Sequence, residues 1–389
     1  MTATLRTIRE IAVGVYDGPH ATPELHDEGA AMFLGIPNLL PDGRIDVSAA
    51  RWVSERDLPK WNRRVTPQSK DIVFTYEATL NRYAIIPDDF PCCLGRRTAL
   101  IRPDPAQVDH RFLFYYFFSP RWRAQIDEKT LTGATVDRIP LTTFPDFQVL
   151  LPKLAEQERV AEVLSAYDEL VAINQRRVDL LKDAARRLYR EWFVHLRFPG
   201  YESVPVKDGL PQGWHRRTLG ELAPLNYGKA LKATDRAAGR FPVYGSSGIV
   251  GTHDSALVDA GAIVVGRKGN VGSLFFSHLP CFPIDTVFFI EPERVSFRLF
   301  LALHGLNFIS SDAAVPGLNR AYAHSLPLVL PDEAIGGMFE EAVAPLFEQA
   351  QCLTEQNVEL AEARDLLLPR LMSGKLDVSS IRLPEEATT

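Results

Sequence analysis

The chain has 389 residues, 46% hydrophobic and 24% charged, with a formal net charge of −6 at pH 7. That length exceeds one compact core and implies two or three domains, and the ordinary composition excludes a disordered or fibrous polymer. No apolar run approaches the ~20 residues that span a bilayer, and Met1–Glu10 lacks the apolar stretch of a signal peptide, so no membrane association is expected and the cytoplasm is the expected compartment. The four cysteines, Cys92, Cys93, Cys281 and Cys352, form no CxxC pair, which argues against a disulfide framework or a zinc site.

The charge is unevenly spread: the last 58 residues carry −8 and everything before them +2. Local basic surface, not net charge, governs attraction to nucleic acid. The balance therefore leaves DNA binding open and turns the acidic C-terminal segment toward water or a protein partner.

In chain order, residues 1–152 read as a first α+β globular domain, with a strand-like run at Asp71–Phe74 and a short helix at Phe112–Tyr116. After Pro152 the pattern changes to a helical spacer, 153–199. Val160, Leu164, Tyr167, Val171, Asn174, Val178, Leu181, Ala185, Leu188 and Trp192 recur at alternating spacings of 4 and 3 almost throughout, a heptad seam. The spacing predicts a helix over Ala155–Phe193, a rod of roughly 50 Å, stopped by Pro199-Gly200. A buried Asn174 in such a seam costs stability but fixes register and partner.

Leu210-Pro211-Gln212-Gly213-Trp214 reads as a turn that opens a second α+β domain, 200–331, with a short helix at Phe297–Leu303. A second spacer, 332–375, repeats the seam less cleanly through Val343, Leu346, Ala350, Leu353, Asn357, Leu360, Arg364, Leu367 and Leu371. Pro345 and Pro369 predict a late start or a kink and a frayed end, Gly374 suits a C-cap, and 376–389 form a tail. Each helix shows one narrow apolar stripe, too little to be stable alone. The obvious partner is its own duplicate; packing of each helix on its own domain is the alternative.

The two halves share one plan. Asp71–Phe74 matches Ala262–Val265, and Pro91-Cys92 before Thr98–Ile101 matches Pro280-Cys281 before Val287–Ile290. Gly133–Arg138 matches Val315–Arg320, and Val149–Pro152 matches Leu328–Pro331. Their common order marks an internal repeat.

No Walker A, GxSxG, HExxH or GxGxxG sequence occurs, nor the (N/D)PP(Y/F) tetrapeptide of amino-methyltransferases, and the nine histidines are scattered. Pro103-Asp104 with Asp127-Glu128-Lys129 fits the loose PD…(D/E)xK pattern of a nuclease metal site. It fits a surface turn and a solvated helix face as well. What the loops do offer is phosphate-gripping and base-reading chemistry: glycines that allow close backbone approach, Arg suited to guanine, Asn to adenine. The DNA-binding candidates are Arg63, Arg64, Tyr76, Arg82, Arg96 and Arg97 in the first domain. In the second they are Tyr244, Ser246, Ser247, Arg267, Lys268 and Asn270. Each loop also reads as a plain β-turn. Arg138 and Arg320, taken as equivalent, are read as structural anchors of each domain on its helix.

Several strings carry a resemblance. They are Leu151-Pro152-x-Leu154-Ala155-Glu156-Gln157-x-Arg159-Val160-Ala161, Tyr189-Arg190-Glu191-Trp192-Phe193, Leu210-Pro211-x-Gly213-Trp214, Val243–Gly248, Gly266–Gly269 and Arg364–Gly374. With them the chain resembles, over nearly its whole length, the specificity subunits of type I restriction–modification systems. The resemblance implies two target-recognition domains, each reading half of a split, asymmetric double-stranded DNA site. It implies two long helices packed as an antiparallel coiled coil that spaces the domains; the seam alone does not choose parallel from antiparallel. It also implies no catalytic residue, metal or cofactor in this chain. S-adenosylmethionine would belong to methyltransferase subunits, and ATP and Mg to an ATP-dependent restriction subunit that translocates DNA. A free-standing nuclease, a methyltransferase fusion and a protein-only coiled-coil adaptor are the rival readings.

Overall fold

The computed structural model describes residues 3–133, 136–310 and 317–378 together with Ile381. Parts of the matched segments 133–138 and 315–320, and most of the expected tail 376–389, lie outside the described residues. The chain divides into two units, Met1–Asn174 with Glu355–Thr389, and Gln175–Thr354. Among the described residues no helix is long and apolar enough to cross a membrane.

The first unit contains β1 (Thr4–Thr7), α1 (Ile8–Ile11), β2 (Ala12–Asp17), β3 (Ala31–Leu34), β4 (Trp52–Val53), α2 (Leu58–Trp61), β5 (Ile72–Thr75), β6 (Tyr83–Ile85), β7 (Cys92–Leu94), β8 (Thr98–Pro103), α3 (His110–Tyr116), α4 (Pro120–Lys129) and β9 (Gln148–Leu151). The long helix α5 (Leu154–Tyr189) follows, and its residues 154–174 belong to this unit. One antiparallel sheet runs β2–β8–β5–β6; a second runs β4–β3–β7, with β3 and β7 parallel; β1 pairs with β9. The run Ile72–Phe74 is continuous in apolar character because both faces of its strand are covered. Ile72 and Phe74 enter the cluster around Trp122 and Phe144, and Val73 enters the one around Met32 and Leu34. Buried Asp71 is held by two hydrogen bonds from Arg102, at 2.8 and 2.7 Å, so its charge does not go uncompensated.

After an added hairpin the second unit repeats the strand order with β10 (Val206–Lys207), β11 (Leu210–Pro211), β12 (His215–Thr218), α6 (Leu219–Leu222), β13 (Asn226–Tyr227), β14 (Phe241–Gly245), β15 (Gly248–His253), β16 (Ala262–Gly266), β17 (Leu274–Ser277), β18 (Phe282–Pro283), β19 (Val287–Ile290), α7 (Phe297–Leu303), α8 (Arg320–Ser325) and β20 (Pro327–Leu330), with no counterpart of α2 or α4 among its described residues. Helix α9 (Glu333–Met372) follows. Its sheets run β13–β19–β16–β17 and β15–β14–β18, and β12 pairs with β20. The correspondence reaches local detail: α1 and α6 both open on a capping box, with Thr7 N–H donating to Glu10 at 2.7 Å and Thr218 N–H to Glu221 at 2.8 Å. The duplication is therefore structural. The spacing between copies drifts because residues 35–51 link β3 to β4, where the second unit turns at Ser246-Ser247.

Both seams are inward: no seam residue of α5 or α9 is exposed. In the first unit Val160, Val163 and Leu164 pack with Leu368, Leu371 and Met372 in the domain core. Higher up, Arg364 pairs with Asp168, and Asn357 Nδ2 donates to the Val171 carbonyl at 3.1 Å. Residue numbers rise on one helix as they fall on the other, so the pairing is antiparallel. In the second unit the same sense holds, with Val178 and Leu181 on Ala350 and Leu353, and Ala185 with Val343 and Phe347. Asn174 is buried, at 3% exposure, as the seam requires.

The first helix, with its last turn, ends within one residue of the expected Phe193, and the second starts without the expected delay. The α geometry of the first helix stops at Tyr189 and a π turn, Arg190–Val194, carries Trp192 and Phe193 into the second unit's aromatic cluster. The second helix does not start late and is assigned continuously through Pro345. Pro345 lies on the exposed side, where the carbonyl that its ring frees is open to solvent rather than to the core, and Phe339 and Val343 ahead of it are buried. Each helix is also tied to its own domain. Gln157 Oε1 accepts the Asp109 N–H at 3.0 Å, and Glu340 accepts the Phe297 and Arg298 N–H groups at 3.1 and 2.8 Å.

Tyr115, Asp168 and Arg364 form a polar chain across the helix pair, with the Tyr115 hydroxyl donating to Asp168 at 2.6 Å. Burial, then the Asp168 carboxylate, pushes the Tyr115 phenol far above its ordinary value, so it stays a donor. The Arg364 side chain is 18% exposed and that of Asp168 34%, so the pair is only partly screened by water. Arg364→Met is expected to cost about 1–3 kcal/mol by stranding Asp168. Adding Asp168→Asn is expected to recover part of the loss. Urea midpoints of the full chain read both, and an unchanged midpoint in the single variant would refute this role.

Candidate nucleic-acid interface

The loop that leaves the central strand is built the same way in each unit. In the first it is Tyr76–Arg82 between β5 and β6; in the second, Arg267–Ser273 between β16 and β17. Ile139 N–H donates to the Tyr76 carbonyl and Leu318 N–H to the Arg267 carbonyl, both at 2.8 Å. Left-handed backbone falls at matching places, Ala78 (φ 69°) and Asn81 (φ 61°) against Gly269 (φ 75°) and Gly272 (φ 76°). Two such residues let the chain turn sharply at the strand end. Gly272 has no room for a side chain, since a Cβ there would lie 2.8 Å from Phe308 Cβ.

These hydrogen bonds also correct the repeat. Ile139 answers to Leu318, so Arg138, which bridges Glu77, corresponds to Gly317, which bridges Lys268. The sequence match had slipped by three residues, and Arg320 is no counterpart of Arg138. Instead of anchoring a long helix, Arg320 places its guanidinium 4.8 Å from the centre of the Tyr227 ring.

In the first unit the candidates fall into different settings. Arg63 and Arg96 are exposed. Arg64 pairs with Asp17 and donates to the Gly18 carbonyl at 3.3 Å, Arg97 lies 3.4 Å from Glu77, and Arg82 donates to the Leu39 carbonyl at 3.4 Å. Tyr76 is buried, its hydroxyl donating to the Arg96 carbonyl at 3.3 Å. Burial, then Asp17, pushes its phenol up to about 12, which keeps it neutral. His20, which the sequence did not single out, joins them 3.0 Å from Asp17. Cation and carboxylate are thus interleaved around this loop.

In the second unit Arg267 stacks over Tyr227 at 5.1 Å and Phe288 at 5.7 Å, and donates to the Asp285 carbonyl at 3.2 Å. Lys268 is half-buried beside it, Asn270 and Ser247 are exposed, and Ser246 accepts through its carbonyl from Ser273 Oγ at 2.6 Å. Tyr244 is buried against Phe275, so its ring supports the fold. Tyr227, half exposed, escaped the sequence reading because a lone Tyr ahead of Gly228 carries no motif.

The nuclease pattern finds no support in the geometry. Asp104 Oδ1 accepts the Ala106 N–H at 3.0 Å in a turn, and Asp127 sits on α4, whose Lys129 lies 5.7 Å from the Phe147 ring. Among the described residues no three His, Cys, Asp or Glu side chains are placed to hold a metal ion. Burial raises the thiols of Cys92 and Cys281, to about 12 and about 11, so both stay protonated.

The family model for the type I restriction modification DNA specificity domain matches residues 25–183 and 211–333. The chain belongs to this family. Among specificity-family relatives, the type I restriction enzyme MjaIX specificity subunit of Methanocaldococcus jannaschii is 22% identical over 367 residues, covering 85% of this chain and 83% of that one. The HindI specificity subunit of Haemophilus influenzae is 18% identical over 412 residues, covering 82% and 89%. The crystal structure of a type I restriction–modification system S subunit from M. genitalium shares the fold, with a TM-score of 0.59 at 19% identity, covering 95% and 96%. The specificity family is one of recognition subunits, which accords with loops rich in hydrogen-bonding groups.

Ala78 holds a conformation that its equivalent, Gly269, adopts without strain. Ala78→Gly is expected to stabilise the chain by about 0.5–1 kcal/mol, and Gly272→Ala to destabilise it by about 1–3 kcal/mol. Thermal unfolding measures both, and equal effects of the same sign would contradict the assignment.

Proposed function

We propose that this specificity subunit reads a split, asymmetric duplex DNA site, one half with each globular part. One observation carries the reading: the same scaffold occurs twice, with unlike residues at matching loop positions, Tyr76-Glu77-Ala78 against Arg267-Lys268-Gly269. Identical scaffolds present their loops alike, whereas different side chains select different base edges. Two such readers in one chain suit two different half-sites.

The paired helices supply the platform for methyltransferase subunits, and the acidic surface of α9 suits a protein partner rather than phosphate. The methyl donor, S-adenosylmethionine, belongs to those subunits. ATP and Mg belong to a restriction subunit that joins the same assembly. The chain's own part is to bind and orient the DNA.

Methylation mapping of the host genome with and without this gene tests the reading. The expected result is loss of one methylated motif made of two unlike halves around a fixed gap. A continuous palindromic motif, or an unchanged methylation map, would overturn it.

A further inference from the structure

Beside the second unit's loop lies an open concavity of about 470 Å³ walled by Tyr227, Arg267, Lys268, Leu318 and Arg320. The two guanidiniums sit 5.1 and 4.8 Å from the same ring centroid, that of Tyr227. Stacking on one aromatic ring holds both charges against the same side chain and limits the rotamers they would lose on binding. No carboxylate is among the described residues that wall it. Cations so arranged attract an anion.

Strand register finds the matching positions in the first unit. Tyr227 lies opposite Phe288 and Asp17 opposite Ala99, in equivalent strand pairs. The loop equivalence places Tyr76 at Arg267 and Glu77 at Lys268, and counting on from Ile139 and Leu318 places Leu141 at Arg320. At these matched positions three cations in one copy answer to two carboxylates in the other, and the cations nearest those carboxylates are paired to them, Arg64 to Asp17 and Arg97 at 3.4 Å from Glu77.

We propose that Tyr227, Arg267, Lys268 and Arg320 grip phosphate groups of the DNA backbone, and that the first unit has no counterpart of this grip. The inference rests on the DNA-reading function and adds to it a division of labour. The second unit supplies an electrostatic hold that is blind to sequence, and the first depends on contacts that salt weakens less.

The test titrates full-length protein against a fluorescently labelled duplex of mixed sequence over a range of salt concentrations. Each phosphate contact adds about 0.9 to the slope of log affinity against log salt. Arg267→Gln with Arg320→Gln is expected to reduce that slope by about 2 and the affinity at least tenfold. Glu77→Gln in the first unit is expected not to reduce it. Tyr227→Leu should weaken binding and Tyr227→Phe should restore it, since a ring face and not the hydroxyl carries the stacking. Unfolding midpoints of all variants separate lost binding from lost folding, and a double variant that fails to fold is replaced by Arg320→Gln alone, with an expected slope change of about 1.

An unchanged slope in a folded variant overturns the proposal, and so does a loss confined to one duplex sequence at constant slope, which would assign the guanidiniums to base edges. Wild-type protein that binds no duplex at any salt concentration would instead overturn the DNA-reading function itself.

Discussion

Everything in this chain depends on one constraint: neither long helix can bury its apolar stripe alone. Each stripe is a narrow seam on an otherwise charged rod, too little to stabilise an isolated helix in water. The structure answers by pairing ends that are far apart in sequence. Residues 154–174 lie with 355–372 in one unit, and residues 175–189 with 333–354 in the other. Polar groups then fix the register that the apolar contacts leave loose. The Arg364–Asp168–Tyr115 chain and the Asn357 bond to the Val171 carbonyl are possible at one alignment only.

The globular parts use a second economy. A strand buried on both faces anchors each sheet, so the loop leaving it starts from a rigid point. Sites built on such supports keep their geometry while the side chains change. That explains how one scaffold can show interleaved charges in one copy and a cationic stack in the other. The side chains differ at the loop, and stability is settled below it.

How much of this was legible beforehand follows the same division. The seams were readable because burial imposes a strict period, and every residue named for them faces inward. The antiparallel sense was not, because a stripe on each helix satisfies either direction; the resemblance supplied it. Of the two effects expected of Pro345, the late start does not occur, because the helix begins at Glu333 and the proline sits on its exposed side. The candidate interface was only half legible. Arginines mark a loop, but whether they pair internally, as Arg64 and Arg97 do, or stack outward, as Arg267 does, depends on strands that sequence order does not bring together. Tyr227 and Arg320 were missed or misread for that reason, and the repeat match slipped three residues where no periodic pattern held it.

The composition of the first unit also bears on how the protein is made. Its core includes Leu368, Leu371, Met372 and Val378 alongside Val160 and Leu164. During synthesis the first domain and the start of α5 emerge long before those residues exist. At the usual 5–20 residues per second the interval is roughly 10–40 seconds. Through that time the nascent chain presents an uncovered apolar groove, whereas the second unit has all its parts once residue 354 has left the ribosome. The half made first is therefore the half completed last, and the ribosome-bound chain is most exposed to misassociation at its N-terminal domain.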